Sequence, residues 1–401
     1  MSHDDATSLR FAMVSHALVH TYELAIPLLV VVWLTEFGLT TALLGAIVAV
    51  GYGLFGFGAL PAGLLVDAKG SARLMVGGLV GMAAAFLLLS RADGALHIGA
   101  ALAIWGIAAS IHHPAALALI STRTTDRGRA FALHGMAGNV GIALGPLVLV
   151  LLLVGLSWRG ATAVLAAGGI LAAGWAASRG LLRGVVTTPV SASDLRRIPE
   201  VFTVGFSLAM IVVLMNGLFY RGSLTFLPGL LGDLLALDAS AIPQLLSGRL
   251  DVAALVYVGL LGVGIGGQYL GGYATDRIPP ERGLMAVFAV LALLAVVFVP
   301  IAALGTVPLI GIAAGFGLTL FALQPLYQAT IARHSPPDRR GLSYGLTYLF
   351  SFGIGATGAA IAGWSLGLIG PTGTFVLLAL FPVVGVACAV ILQRVAGYGQ
   401  N

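Results

Sequence analysis

Residues 111–146 read IHHPAALALISTRTTDRGRAFALHGMAGNVGIALGP. An apolar run carrying His112-His113-Pro114 gives way to a polar turn with Arg123, Asp126, Arg127 and Arg129. A second apolar run follows, holding Asn139 and Gly141-x-x-x-Gly145-Pro146. Two apolar stretches on either side of a short basic turn predict a membrane hairpin. Its histidines and asparagine then fall where lipid makes polar groups costly, which marks them as candidates for function. Residues 323–346, LQPLYQATIARHSPPDRRGLSYGL, nearly repeat the pattern, with Gln324-Pro325 standing where His113-Pro114 stood.

The rest of the chain extends this reading. Of 401 residues, 59% are hydrophobic and only 9% charged, too few charges to cover a soluble globule and more apolar surface than one core absorbs. The formal net charge of +5 comes from basic residues placed in twos and threes between apolar runs. That is the pattern of cytoplasmic loops, and it excludes nucleic acid as a partner. The single cysteine, Cys388, lies within the last apolar run and rules out a disulfide framework or a cysteine metal site. The polar start, MSHDDATSLR, has acids instead of a basic n-region, so no cleaved signal is expected.

A bilayer core needs roughly 20 apolar residues per helix, and cutting the chain at its charged turns gives twelve runs: 11–34, 42–66, 74–91, 96–121, 130–156, 160–182, 201–230, 252–275, 283–304, 306–332, 342–368 and 372–394. The turns after even-numbered runs, with Arg10 and Arg394, hold 16 of the 20 basic residues. The positive-inside rule therefore places both termini in the cytoplasm, as an even number of spans requires. The polar segment 183–200 divides the chain into six-helix bundles at 1–182 and 201–401. Gly63-x-x-x-Asp67 closing run two returns as Gly272-x-x-x-Asp276 closing run eight. Such a repeat predicts two pseudo-symmetric bundles with a site between them near the bilayer midplane. The expected fold is all-α. The extracellular loop 232–251 is longer than its neighbours and has no counterpart in the first half.

The loop after run two, Gly63-Leu64-Leu65-Val66-Asp67-Ala68-Lys69-Gly70-Ser71-Ala72-Arg73, resembles the signature of the major facilitator superfamily of transporters. It keeps Gly63, Asp67, Gly70 and Arg73 but has Ala68 and Ala72 where bases are usual. The second copy keeps Gly272, Asp276 and Arg277, then departs at Pro279. The resemblance implies that these residues form cytoplasmic gates, with carboxylates accepting bonds from loop arginines and helix N-termini. Asp67 would meet the start of helix eleven near Arg340, and Asp276 the start of helix five near Arg129. Helix five resembles the superfamily's antiporter signature in Gly141-x-x-x-Gly145-Pro146 but lacks the paired glycines expected after the proline. Helix four has no mid-helix arginine between Ala101 and Ser110, so the proton role such an arginine implies does not transfer. Ser15-His16, His113-Pro114 and Gly138-Asn139-x-Gly141 resemble fosmidomycin-resistance-type exporters within the superfamily.

The resemblance also implies a central cavity lined by helices one, four, seven and ten, where the scarce polar residues fall. His16, His20 and Glu23, at i, i+4 and i+7, share one face of helix one. Helix four adds His112 and His113, helix five Asn139, helix seven Asn216, Tyr220 and Arg221, and helix ten Gln324, Tyr327 and Gln328. Glu23, His20 and His113 are the expected carriers of a coupling proton, since imidazole and a carboxyl removed from water can exchange one near neutrality. Arg221, which cannot deprotonate, is a fixed positive charge for an anionic substrate or a partner for Glu23; a bland alternative has it snorkel to the interface. His134 reads as a loop-proximal structural residue, and Trp33, Trp158 and Trp364 as interfacial belt residues.

The expected function is proton-coupled secondary transport by alternating access, exporting a small organic compound or drug, possible anions included, by H+ antiport from a monomer in the cell membrane. The alternative is an uptake symporter for a carboxylate, sugar or nucleoside. A divalent-metal pathway through the histidines is a third reading, weighed down by the lack of cysteine or a second acid nearby; no metal site and no cofactor are assigned. Acidic residues scattered singly at loop ends speak against a membrane transferase, and no Walker-type loop supports ATP-driven pumping.

Overall fold

The structure is a computed structural model that describes residues 3–124, 126–182, 198–236, 251–336 and 340–398. The expected linker 183–200 lies outside it up to residue 197 and the expected loop 232–251 from residue 237 to 250, while Asp67 and Arg340 are described in backbone only. Among the described residues every regular element is a helix. In chain order these are α1 His3–Glu36, α2 Thr41–Phe57, α3 Ala59–Lys69, α4 Ser71–Leu89, α5 Ala95–Ser110, α6 His112–Arg123, α7 Arg127–Gly155 and α8 Trp158–Ser178. After a short 3-10 turn at Ile198–Val201 come α9 Val204–Ala236, α10 Val252–Thr275, α11 Pro280–Ala302, α12 Thr306–His334, α13 Arg340–Tyr348 and α14 Thr357–Tyr398.

Among the described residues, eleven stretches are long and apolar enough to cross a membrane, one fewer than the twelve expected runs. The difference lies in the last stretch, Ser343–Val395, which has 53 residues. At 1.5 Å per residue it would run roughly 80 Å, more than twice the ~30 Å hydrocarbon core. It is broken at Gly370, whose φ of +67° and ψ of −178° suit only a residue without Cβ, and Pro371 follows directly. The two parts match runs eleven and twelve.

Two expected runs are themselves interrupted. The second breaks at Gly58, between α2 and α3, and the fourth at Ile111, between α5 and α6. Pro114 explains the second break, because its ring lacks an N–H for the Ser110 carbonyl and crowds it. The two breaks lie side by side: a Cβ on Gly58 would come within 2.7 Å of Ser110 Cβ. Run eleven changes winding as well, with a π turn at Leu349–Gly353 followed by a 3-10 turn at Ile354–Ala356.

The chain forms two compact units, Met1–Gly38 with Val50–Ser191 and Leu39–Ala49 with Ala192–Asn401. In the first, α1 packs on α7, and α4 packs on α5 and α8; in the second, α9 packs on α14, and α12 on α10 and α11. The α1–α7 seam is set by sequence. Gly138, Gly141 and Gly145 form one stripe on α7, and built Cβ atoms there would strike His16, Ala17 and Thr21 of α1. Small residues bring the two backbones together, as membrane packing requires where no hydrophobic drive exists between helices. Tyr22 ties the seam to α8 by donating from its hydroxyl to the Leu165 carbonyl at 2.9 Å. Trp33 and Trp158 differ from their expected place in an interfacial belt. Both are buried with ring centroids 6.2 Å apart, and Trp158 Nε1 donates to Glu36; Trp364 is exposed.

Candidate functional site

The polar face of α1 turns into the first unit. His16 and His20, one turn apart, are both buried, and Glu23 is only 1% exposed. The break before α6 brings His112 and His113 alongside, both buried. The ring of His16 is the centre: the centroids of His20, His112 and His113 lie 4.8, 5.0 and 5.2 Å away. The fifth member is His134, which stacks on His16 at 4.0 Å and 17°. The sequence predicts a loop-proximal structural residue at His134, yet its ring is buried in the cluster. The available signal was its spacing: residues 134, 138, 141 and 145 recur at helical period on one face, so His134 continues the glycine stripe that faces α1.

Hydrogen bonds give the cluster a direction. His16 Nδ1 lies 2.8 Å from the His134 carbonyl oxygen. A carbonyl can only accept, so His16 Nδ1 carries a proton. His20 Nδ1 lies 2.5 Å from Glu23 Oε2, and the Nε2 atoms of His16 and His20 are 3.1 Å apart. Each of these two contacts needs one hydrogen as well. With a hydrogen in each, His16, His20 and Glu23 would together carry one proton beyond two neutral imidazoles and a carboxylate. A trio hydrogen-bonded in this way would carry no net charge, the state that burial favours. His112 Nδ1 is held 2.9 Å from Ser15 Oγ, and its Nε2 has no hydrogen-bond partner among the described residues. The Tyr52 hydroxyl donates to the Glu23 carbonyl at 2.9 Å and fixes the start of the next turn.

In chemical terms the arrangement is a buried acid–imidazole relay that can take up and release a proton. His16, His112 and His113 also offer one ligand nitrogen each within 4.8 Å of one another. Asn139 is half-buried on the same helix as His134.

The expected residues of the second unit lie on α9 and α12. Arg221 of α9 is 3% exposed, so it does not snorkel; its guanidinium carbon lies 5.3 Å from the ring centroids of both Tyr220 and Phe352. Tyr220 meets Phe321 edge-on at 5.8 Å. Asn216, one turn earlier, is buried with its Oδ1 lacking a partner among the described residues. On α12, Gln324 accepts from Gln268 Nε2 at 2.6 Å, Tyr327 is buried, and Gln328 is exposed.

Of the expected gate residues, Gly70 takes φ +89° at the turn between α3 and α4, a conformation that favours glycine. Gly63 has only Pro114 Cβ near its built Cβ, at 3.9 Å, and Gly272 has open space. Arg73 donates to the Leu182 carbonyl at 2.7 Å. Asp276 caps the end of α10, and Arg277 folds over Tyr273, 3.3 Å from its ring centroid. An ion-paired carboxylate is not legible in the sequence: buried Glu281, at the start of α11, lies 3.1 Å from both Arg333 Nη1 and His334 Nε2 at the end of α12.

Comparison with known proteins agrees with this architecture. The family model described as Major Facilitator Superfamily matches residues 12–359. Among solved structures, a bacterial homolog to the human lysosomal transporter Spinster, in an inward-facing and occupied conformation, aligns at TM-score 0.77 and 14% identity, over 98% of each chain. A mutant of the peptide transporter POT in complex with sulfate aligns at TM-score 0.76 and 14% identity, covering 97% of this chain and 94% of that one. These likenesses concern the fold. The puromycin resistance protein pur8 of Streptomyces alboniger is 38% identical over 108 residues, which is 26% of this chain and 22% of that protein. With the family match covering most of its length, the chain belongs to the Major Facilitator Superfamily and is a multi-pass membrane transporter of small molecules, not an enzyme.

Proposed function

We propose that this transporter is proton-coupled and exports a small organic compound by antiport, with Glu23 and His20 carrying the proton and His113 beside them. The observation that carries this reading is the buried His16–His20–Glu23 chain, with contacts at 2.8, 3.1 and 2.5 Å; a hydrogen in each gives the trio one proton in excess. Releasing that proton leaves a charge inside an apolar bundle, a state disfavoured enough to be linked to a change of conformation. The Arg221 group of the second unit supports an anionic or aromatic part of the cargo, with Asn216, Tyr220, Gln324, Tyr327 and Gln328 as further contacts. In this reading the two six-helix bundles are 1–182 and 201–401 and both termini are cytoplasmic. Asp67 and Asp276 serve the cytoplasmic gates with Gly63, Gly70, Arg73, Gly272 and Arg277. The stretch shared with a puromycin resistance protein supports a drug-like cargo.

The test begins with a thermal-shift screen of the purified protein against organic anions, antibiotics including puromycin, and sugars. Flux of the best ligand is then measured in proteoliposomes with and without a pH gradient. Glu23→Gln is expected to abolish gradient-driven flux while leaving the unfolding temperature and ligand shift in place. Full gradient-driven flux in that variant removes Glu23 from the mechanism.

A further inference from the structure

We infer that the imidazole cluster of the first unit is a binding site for a first-row transition-metal dication of the zinc type, with His16, His112 and His113 as its primary ligands. Three of the five rings share one arrangement. His16 Nδ1 is held by the His134 carbonyl, His20 Nδ1 by Glu23 Oε2 and His112 Nδ1 by Ser15 Oγ, at 2.8, 2.5 and 2.9 Å. Each ring is thereby oriented by an oxygen on Nδ1 and presents Nε2. Histidine metal sites are built this way, with a carbonyl or carboxylate on the far nitrogen fixing the ring and raising its basicity.

The distances suit the same ion. Tetrahedral Zn–N bonds of about 2.0–2.1 Å separate neighbouring ligand nitrogens by roughly 3.3–3.4 Å. His16 Nε2 and His20 Nε2 already stand 3.1 Å apart. His112 Nε2 is buried and without a hydrogen-bond partner among the described residues, an arrangement that is expensive for a polar atom with no task. His112 belongs to the trio His16, His112 and His113, each of which offers one ring nitrogen within 4.8 Å of the others. A side-chain rotation of roughly 1.5 Å closes that group to the tetrahedral spacing. His20, with its Nε2 beside that of His16, stands by as a fourth nitrogen. Neutral imidazoles select zinc, nickel, cobalt or copper over magnesium and calcium, which require oxygen. Neither cysteine nor a second acid is needed for a three-histidine site. The convergence of α1, α6 and α7 supplies what spacing along the sequence could not.

This inference goes beyond the proton reading and stands without it. The experiment uses the full chain, purified on a tag free of histidine and stripped with a chelator, and titrates it with Co2+ alone and then Zn2+ alone. The expected result is one ion per chain, with the visible absorption of tetrahedral, nitrogen-bound Co2+. His16→Ala and His112→Ala lower affinity by more than tenfold, and Ser15→Ala, which removes only the orienting oxygen, lowers it by roughly tenfold. His97→Ala, in the exposed pair with Asp93, leaves binding unchanged. Thermal unfolding in chelator shows which variants keep the fold, and Ser15→Ala carries the test if a histidine variant does not. Failure to bind one ion, or binding that survives both His112→Ala and Ser15→Ala, overturns the site. Loss of coupled flux in Glu23→Gln measured in chelator, alongside absent metal binding, sinks this inference and leaves the proton reading intact. Metal binding alongside unimpaired coupling in Glu23→Gln does the reverse.

Discussion

Replacing Gly135, Gly138 and Gly141 by alanine, one at a time, separates three consequences of adding the same methyl group to one helix. At Gly135 a built Cβ meets nothing within 4 Å, so the substitution removes only glycine's entropic penalty and stabilises α7 by about 0.5–1 kcal/mol. At Gly138 the Cβ would stand 2.5 Å from His16 Cε1, and the ring has to withdraw by roughly 1 Å to reach normal contact. That movement takes His16 Nδ1 out of reach of the His134 carbonyl, now 2.8 Å away. The lost bond, about 1 kcal/mol, nearly offsets the helix gain, so stability stays level while the cluster is disrupted. At Gly141 the Cβ would lie 2.8 Å from Ala17 Cα and closer still to its carbonyl oxygen. Backbone cannot rotate aside, so α1 and α7 must separate. Overpacking of this kind costs about 1–3 kcal/mol, for a net loss of about 1–2 kcal/mol after the helix gain. Thermal unfolding in detergent reads the order Gly135→Ala, wild type with Gly138→Ala, then Gly141→Ala. A Gly141→Ala protein as stable as Gly135→Ala refutes the claim that glycines set the α1–α7 distance.

Arg221→Ala is expected to weaken an anionic substrate by roughly 10–100-fold, the worth of a charge-assisted bond, and to spare a neutral one. Equal affinities across a charged and neutral panel count against the anion reading. Glu281→Ala removes two contacts at 3.1 Å from a buried carboxylate; because Arg333 reaches solvent, the loss is held to about 2 kcal/mol, and an unchanged unfolding temperature would show the pair to be idle. Gly370→Ala forces a side chain into a backbone region reserved for glycine and should cost about 1–3 kcal/mol. A neutral result there would show that the last hairpin turns without a special conformation at Gly370.

Architecture was legible because lipid imposes it. Hydropathy and charged turns located the runs, and the one merged stretch differs only because Gly370 turns a helix without any polar loop to mark it. His16, His20 and Glu23 were readable as one face because the helical period is local. His112 and His113 were readable as cavity residues through the family resemblance. What escaped was long-range. His134 looked cytoplasmic by position, and only the depth to which Gly138 and Gly141 admit α1 carries its ring beneath His16. Glu281 and His334 sit 53 residues apart, and each alone is an ordinary residue at a helix end. Trp33 and Trp158 carry belt composition at belt depth; their burial against one another depends on how α1 and α8 meet, which no local pattern encodes.

The proton that the proposed mechanism places in the His16–His20–Glu23 trio makes it neutral, with an electrical consequence. A membrane voltage does no work in moving a neutral group through its field, whereas one unbalanced charge crossing the whole field involves about 2.3 kcal/mol per 100 mV. In the proposed cycle the loaded cluster is electrically silent, and the cluster that has given up its proton holds the negative charge. Voltage then acts on the step in which the emptied cluster is carried back, and a recorded current from that step would report on Glu23 without any labelled cargo.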